Sequence, residues 1–425
     1  MNSRAILTGF VFEHAVRALA QALPVGAAAD RTLSDYFRSH PKLGSSDRGV
    51  IAETVYAVLR NRRSLAACAG AEFPRELALA ALVRIRGFNL KQCAHFLRAG
   101  EPELVARIKA VTTEELPDAV RHDLPDWLWQ RLLVERGAAG ALELARALKA
   151  PAPLALRVNP LKSTRELVAA GLLADGIVAH PTRFSPHGLL VDGKPALQRH
   201  PMFLSGAFEV QDEGSQLLAE LLAPRRGEMV ADFCAGAGGK TLALGALMRS
   251  SGRLYAFDVS AARLAKFKAR QARSGLSNVH PVRIESENDI RVKRLTGKLD
   301  RVLVDAPCSG LGTLRRNPEL KWRQAPADVT RLAGKQLAIL TAAGRLVKPG
   351  GRLVYAPCSV LAEENAAVMD AFRAANPRFV PIAAAAALAT RGIDAATMTV
   401  DDALELLPNK HGTDGFYAVA MEAAK

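Results

Sequence analysis

The 425-residue sequence predicts an α/β chain in three parts: an all-helical domain over 1–150, a small α+β unit over 151–205, and a doubly wound, mostly parallel sheet domain over 206–425. Three observations predict it. Apolar residues recur at three- and four-residue spacing through most of the first 150 positions. Pro151-Ala152-Pro153 then breaks that period. From about residue 206 short apolar runs alternate with helical patterns, which right-handed crossovers turn into a parallel sheet.

In chain order, helical periodicity covers Phe10 to Leu23, Asp47 to Leu59, Glu76 to Arg86 and Trp127 to Leu148. Leu154 to Val158 reads as a strand, Thr164 to Leu173 as a helix, and Leu189 to Val191 as a strand beside the turn Asp192-Gly193. The sheet domain opens with a helix over Gly214 to Leu222. Strand Met229 to Phe233, loop Cys234 to Lys240, helix Thr241 to Met248 and strand Arg253 to Asp258 follow. Val302 to Val304 and Leu353 to Tyr355 read as buried strands, 383–389 as a helix or a loose loop, and Gly415 to Met421 as a closing strand.

Fifty-seven Lys and Arg against 42 Asp and Glu give a net charge of +15, which suits a polyanionic partner. Basic residues gather at Arg60-Asn61-Arg62-Arg63, Arg225-Arg226, Lys293-Arg294 and Arg315-Arg316, the last followed by Lys321, Trp322 and Arg323. No sustained basic amphipathic helix with an aromatic face stands out, so nucleic acid is favoured over a membrane surface. The longest apolar tract, Ile382 to Ala389, is too short to span a bilayer, and Met1 to Leu19 lacks the continuous apolar core of a signal peptide. The five cysteines, Cys68, Cys93, Cys234, Cys308 and Cys358, show neither a disulfide framework nor metal-ligand spacing. A reduced, cytoplasmic, monomeric protein with no metal is expected.

Asp232-Phe233-Cys234-Ala235-Gly236-Ala237-Gly238-Gly239-Lys240-Thr241 joins a strand to a helix with three glycines. Such a turn lets the backbone approach a ligand and presents amide N–H groups at a helix N-terminus. A phosphate-binding loop would need glycine where Cys234 stands, and the dinucleotide pattern is also unmet. Asp258 ends the next strand, 26 residues beyond Asp232, where an acidic residue suits ribose hydroxyls. With a further acidic residue ending a later strand, the set suits an adenosine-containing cofactor without a pyrophosphate, namely S-adenosylmethionine.

Two cysteines have near-identical settings, Asp305-Ala306-Pro307-Cys308-Ser309-Gly310 and Tyr355-Ala356-Pro357-Cys358-Ser359. Each follows a predicted strand, so both thiols are expected past the carboxyl ends of strands, where open α/β sheets bind their ligands. Two thiols at one crevice point to covalent chemistry.

These motifs together resemble the RsmB/Nop/Sun family of RNA cytosine-5 methyltransferases. Arg157-Val158-Asn159-Pro160-Leu161-Lys162 resembles its pre-catalytic subdomain, and Gln211-Asp212-Glu213-Gly214-Ser215-Gln216 the entry into its catalytic domain. Lys348-Pro349-Gly350-Gly351 resembles the turn before its second Cys strand, and His411-Gly412-Thr413-Asp414-Gly415-Phe416 its closing motif. Leu43-Gly44-Ser45-Ser46-Asp47-Arg48, with Ile51-Ala52-Glu53 and Val55-Tyr56, resembles the NusB-like RNA-binding domain of the bacterial ribosomal branch.

The resemblance implies a Rossmann-like class I methyltransferase domain acting on ribosomal RNA, most plausibly 16S. It assigns cofactor binding to Cys234, Ala235, Gly236, Ala237, Gly238, Gly239, Lys240, Asp258 and Asp305. Asp289 is placed near the adenine, with Glu285 as its rival. Thiolate addition at carbon 6 of cytosine makes carbon 5 nucleophilic, and a free thiol of pKa about 8.5 needs a site that favours ionisation. DNA cytosine-5 enzymes attack with the Pro-Cys of the fourth strand, here Cys308, whereas the RNA family uses the fifth-strand Cys, here Cys358. Cys358 is therefore expected to attack and Cys308 to assist release. Asp305 is expected at the Watson–Crick edge of a flipped base, and Lys240 at the base or the cofactor carboxylate. The segment Leu314 to Trp322 is expected to bring cations and an aromatic to the RNA.

Two positions depart from the family: Ala237 stands where Pro is usual, and Pro357 where Thr or Ser is usual. The competing readings are an assembly factor that binds RNA without turnover, and an enzyme acting on tRNA or 23S ribosomal RNA.

Overall fold

The computed structural model describes residues 7–425, so Met1 to Ile6 of the segment weighed as a signal peptide lie outside the described residues. The described residues form two compact units, 7–150 with 314–325, and 151–313 with 326–425.

The first unit is helical, with its longer helices at Gly9–Ala22, Ala29–Ser39, Ser45–Arg60, Pro74–Arg84, Glu101–Ala110 and Asp126–Lys149. Helix Pro74–Arg84 runs through the middle, its stretch Leu77 to Leu82 almost wholly buried against Phe12, Leu19, Ile51 and Val55. Gly137, at φ 67°, divides the last helix into two.

Segment 314–325 belongs to this unit because its side chains satisfy groups at the end of helix Ser45–Arg60. Lys321 Nζ donates to the Arg60 carbonyl at 2.9 Å and Trp322 Nε1 to that of Leu59 at 3.3 Å. Arg60 in turn donates to the Arg315 carbonyl at 2.9 Å. A helix leaves its last four carbonyls without partners, and cations commonly satisfy them. Lys321 is 3% exposed. The expectation that this segment offers Lys321 to RNA is therefore corrected: the lysine serves the helical unit's interior.

The second unit contains two sheets. The smaller consists of β1 (Leu154–Val158), β2 (Ala179–Pro181), β3 (Gly188–Val191) and β4 (Phe208–Val210), antiparallel in the order β2-β3-β1-β4. Helix Arg165–Ala174 packs its Val168 and Leu172 into the core of this sheet, with N-cap Thr164 accepting the Leu167 N–H. Strand β4 lies beyond the boundary read at residue 205, because its pairing with β1 is non-local and only three residues long.

The larger sheet holds β5 (Met229–Phe233), β6 (Arg253–Asp258), β7 (Val279–Arg283), β8 (Leu299–Val304), β9 (Val347–Tyr355), β10 (Phe379–Ile382), β11 (Thr399–Val400), β12 (Ala403–Leu406) and β13 (Phe416–Ala423). Five parallel strands run in the order β7-β6-β5-β8-β9; β13 pairs antiparallel beyond β9 and is itself paired on its other side by β12 and β10. Strands of a parallel sheet are buried on both faces, so they read as continuous apolar runs. Alternate residues feed two cores: Val230, Leu254, Leu303 and Val354 face one, and Ala231, Phe257, Val302 and Leu353 the other. Helix Glu213–Leu222 is buried along its whole length in the first core. The order of the parallel strands reverses between β5 and β8, which makes the crevice outside their carboxyl ends the expected ligand site. No described helix is long and apolar enough to cross a membrane.

Candidate active site

Strand β5 ends at Phe233, and the chain turns into helix Gly239–Leu247 through Cys234, Gly236 and Gly238, all with positive φ. At Gly238 the requirement for glycine is twofold: φ is 81°, and a Cβ would lie 1.9 Å from the Phe267 ring. Two cations, Arg157 buried and Arg270 half-buried, hold the loop's carbonyls. Arg157, on β1, donates to Gly239 O and Arg270 to Ala237 O, each at 2.8 Å. The small sheet thus braces the loop from behind. Burial pulls the Arg157 guanidinium down to about 10.

Asp258, at the end of β6, is almost fully buried, and its Oδ2 accepts the Gly236 N–H at 2.7 Å while Oδ1 accepts that of Ser260 at 2.7 Å. Each oxygen keeps a second lone pair for a ligand hydroxyl. Beneath the loop, Asp232 accepts the Thr241 hydroxyl at 2.6 Å through Oδ2, whereas its buried Oδ1 has no partner. Burial pushes this carboxyl up to about 7.

Asp289 caps the short helix Ile290–Lys293 and accepts from the Glu285 and Arg291 amides and from Arg291 Nε and Nη2. The Arg291 guanidinium first, then these amides, hold its carboxyl well below the usual range. Four donors fill the acceptor positions of a carboxylate. Asp289 therefore shapes the 285–291 turn, while Glu285 lies exposed beside Arg283.

The thiols come from adjacent parallel strands. Val304 and Tyr355, the last residues of β8 and β9, stand opposite each other; β8 continues through Asp305 into Ala-Pro-Cys-Ser, and β9 continues into it directly. Cys308 Sγ lies 3.0 Å from Cys358 Sγ. The Cys308 thiol is pushed far above its ordinary value by that hydrogen bond, and by burial. Lys240 Nζ donates to Asp305 Oδ2 at 2.6 Å and lies 5.5 Å from the centre of the Phe416 ring. Burial pulls the ammonium down, but the Asp305 carboxylate outweighs it and leaves Lys240 raised.

Gly312 locks the closing motif onto the thiol loops: its N–H donates to Cys358 O at 3.1 Å and its carbonyl accepts the Gly415 N–H at 2.8 Å. The remaining thiols differ. Cys234 packs partly into the sheet core, and burial pushes it up. Cys68 and Cys93 are buried in the helical unit and pushed up by that burial.

The structure thus brings Asp305, Cys308, Cys358 and Lys240 together beside the glycine loop and Asp258. The loop's amides, the acidic strand ends and the unpartnered Asp232 oxygen form a polar cradle suited to a positively charged, ribose-bearing group. Among the described residues no cluster of three or more His, Cys, Asp or Glu is placed to hold a metal ion. Sequence reasoning missed Arg157, Arg270 and the buried Glu364. For Glu364 the available signal was the serine repeated after each cysteine.

Comparison with known proteins identifies the family. A family profile described as 16S rRNA methyltransferase RsmB/F matches residues 219–422. Another, described as an RsmF/B-like ferredoxin-like domain, matches 124–198, from helix Asp126–Lys149 through most of the small sheet. A probable ribosomal RNA small subunit methyltransferase B of Synechocystis sp. is 35% identical over 318 residues, 73% of this chain and 69% of that protein. A human 28S rRNA (cytosine(4447)-C(5))-methyltransferase is 34% identical over 271 residues, 62% of this chain and 33% of its own length. The crystal structure of PH0851 shares the fold, with a TM-score of 0.80 at 23% identity over 98% of this chain and 99% of that one. With two thiols at the end of its fourth and fifth parallel strands, the chain belongs to the RsmB/Nop/Sun family of S-adenosylmethionine-dependent RNA cytosine-5 methyltransferases, in its bacterial ribosomal RNA branch.

Proposed function

We propose that this protein methylates carbon 5 of a cytosine in 16S ribosomal RNA in the cytoplasm, with Cys358 as nucleophile and Cys308 as the releasing group. The observation that carries this reading is the 3.0 Å approach of the two sulfurs beside the Lys240–Asp305 pair. Loop residues Cys234 to Lys240, with Asp258 and Asp305, would hold S-adenosylmethionine, and the Asp289 turn would border its adenine. When bound, the cofactor supplies an electrophilic methyl group.

The chain's own residues do the rest. A base is flipped from a loop or bulge of the RNA into the crevice. Asp305, fixed by Lys240, hydrogen bonds the base edge and orients carbon 6 toward Cys358. The Cys358 thiolate adds to carbon 6, and the electron pair displaced onto carbon 5 makes that carbon the attacking atom. Once Cys358 is bonded to carbon, it no longer shares a hydrogen bond with Cys308 as a thiol. Cys308 then ionises more readily, and its thiolate takes the carbon 5 proton as the bond from Cys358 to carbon 6 breaks. The net charge of +15 supplies a salt-sensitive attraction to phosphate.

The test incubates the protein with methyl-labelled cofactor and unmodified 16S ribosomal RNA, comparing wild type with Cys358→Ala and Cys308→Ala. Label recovered as 5-methylcytosine in wild type and absent in Cys358→Ala is expected. Labelling of tRNA or 23S RNA alone overturns the target, and tight RNA binding with no transfer supports an assembly factor instead. Turnover retained by Cys358→Ala and lost by Cys308→Ala overturns the assignment of the two thiols.

A further inference from the structure

Glu364 is completely buried five residues beyond Ser359, and its carboxylate is the meeting point of both cysteine loops. Oε1 accepts the Ser309 backbone N–H at 2.7 Å and Gln336 Nε2 at 3.0 Å. Oε2 accepts the Ser309 hydroxyl at 2.5 Å and the Ser359 hydroxyl at 2.6 Å. The two serines, one after each thiol, are used alike: each Oγ also accepts the amide two residues on, Leu311 N–H at 3.4 Å and Leu361 N–H at 3.2 Å. Gln336 extends the anchor, donating to Pro307 O at 3.0 Å and accepting the Tyr355 hydroxyl at 3.0 Å. Tyr355 also donates to the Glu364 carbonyl at 2.6 Å.

A buried carboxylate is costly unless its lone pairs are filled, and here four donors fill them. The cheaper arrangement for folding alone would be an apolar side chain. What the carboxylate achieves, and an apolar group would not, is a fixed link between Ser309 and Ser359, hence between the sulfurs that precede them.

Resting on the reading of Cys358 as attacker and Cys308 as releaser, we propose that Glu364 is a positioning residue that couples the two cysteine loops and sets the distance across which release follows attack. Its negative charge also helps, behind the Cys358 contact and burial, to keep Cys308 protonated before attack. Glutamine at this position keeps one acceptor oxygen for the Ser309 N–H and Gln336 Nε2, but its NH2 group can only donate, so both serine hydroxyls must turn round to accept, and the charge that strengthened all four bonds is lost.

The experiment is a double-mutant cycle with Glu364→Gln and Cys308→Ala, read by single-turnover methyl transfer, RNA KM and the fraction of protein held in a denaturant-resistant RNA adduct. Glu364→Gln is expected to lower kcat by about tenfold or more with RNA KM within about threefold, and to raise the adduct fraction. In the Cys308→Ala background the same change is expected to alter adduct level by less than about twofold, because the partner it positions is gone. Independent, additive effects, or an unchanged kcat in Glu364→Gln, overturn the inference. If Glu364→Gln does not fold, the serines decide: Ser309→Ala is expected to accumulate adduct and Ser359→Ala to slow its formation, and identical losses in both overturn the inference. An adduct missing from Cys308→Ala itself would instead count against the thiol assignment.

Discussion

Cys308 and Cys358, fifty residues apart in sequence, hold their sulfurs 3.0 Å apart at the ends of neighbouring parallel strands. Parallel register produces this: strands paired at Val304 and Tyr355 deliver equivalent loops to the same edge. The proximity raises the Cys308 thiol through its contact with Cys358, which keeps Cys308 protonated before any substrate arrives. Replacing Cys358 by Ser is expected to cost about 10³-fold or more in methyl transfer while leaving RNA binding intact. Filter binding alongside turnover checks both halves.

The Lys240–Asp305 pair is expected to matter to stability as well as chemistry. Lys240→Met leaves the carboxylate without its cation, and a loss of about 1–3 kcal/mol is expected, given that the side chains are 11% and 27% exposed. Denaturant midpoints report it. The double variant Lys240→Met with Asp305→Asn is expected to recover stability but no activity, and recovery of both would show the pair to be a packing feature alone.

Gly238→Ala places a methyl against Phe267 in a backbone conformation that L-residues avoid. Together these are expected to cost about 2–4 kcal/mol and to weaken cofactor binding. Isothermal titration with the demethylated cofactor measures the second effect, and unchanged affinity would exclude the loop as its cradle.

Lys321 gives the helical unit a pH signature. Burial lowers its pKa to about 7, below the unfolded value of about 10.4. Between those values the unfolded chain holds a proton that the folded chain has released, so stability rises with pH across that window and is lost again toward pH 7. The unfolding midpoint of wild type is expected to climb from pH 7 to 10 relative to Lys321→Met. Parallel profiles would contradict the burial of an uncharged lysine.

Much of this was legible in the sequence. Met229 to Phe233 and Arg253 to Asp258 were read at their observed bounds, because continuous apolar runs ended by glycine-rich or acidic loops leave few alternatives. The Ala-rich stretch read as helix or loop is a helix over Ala384–Ala389. The role of 314–325 was not legible, since Lys321 and Trp322 read as surface donors until the carbonyls they cap, over 250 residues away in sequence, are known. Glu364 was passed over for a related reason: a carboxylate predicts solvent, and the repeated serines signal its burial only once they are known to converge on it with Gln336. Asp289 was read from its place after β7 as a residue near the adenine, and its capping of helix Ile290–Lys293 was not read.

The most direct test of the central claim maps the covalent bond itself. Cys308→Ala, incubated with 16S ribosomal RNA and S-adenosylmethionine, denatured and digested with protease and nuclease, is expected to yield a nucleotide-bearing peptide modified at Cys358. A crosslink mapped to any other cysteine, or no crosslink while methyl transfer continues, would contradict the division of labour between the two thiols.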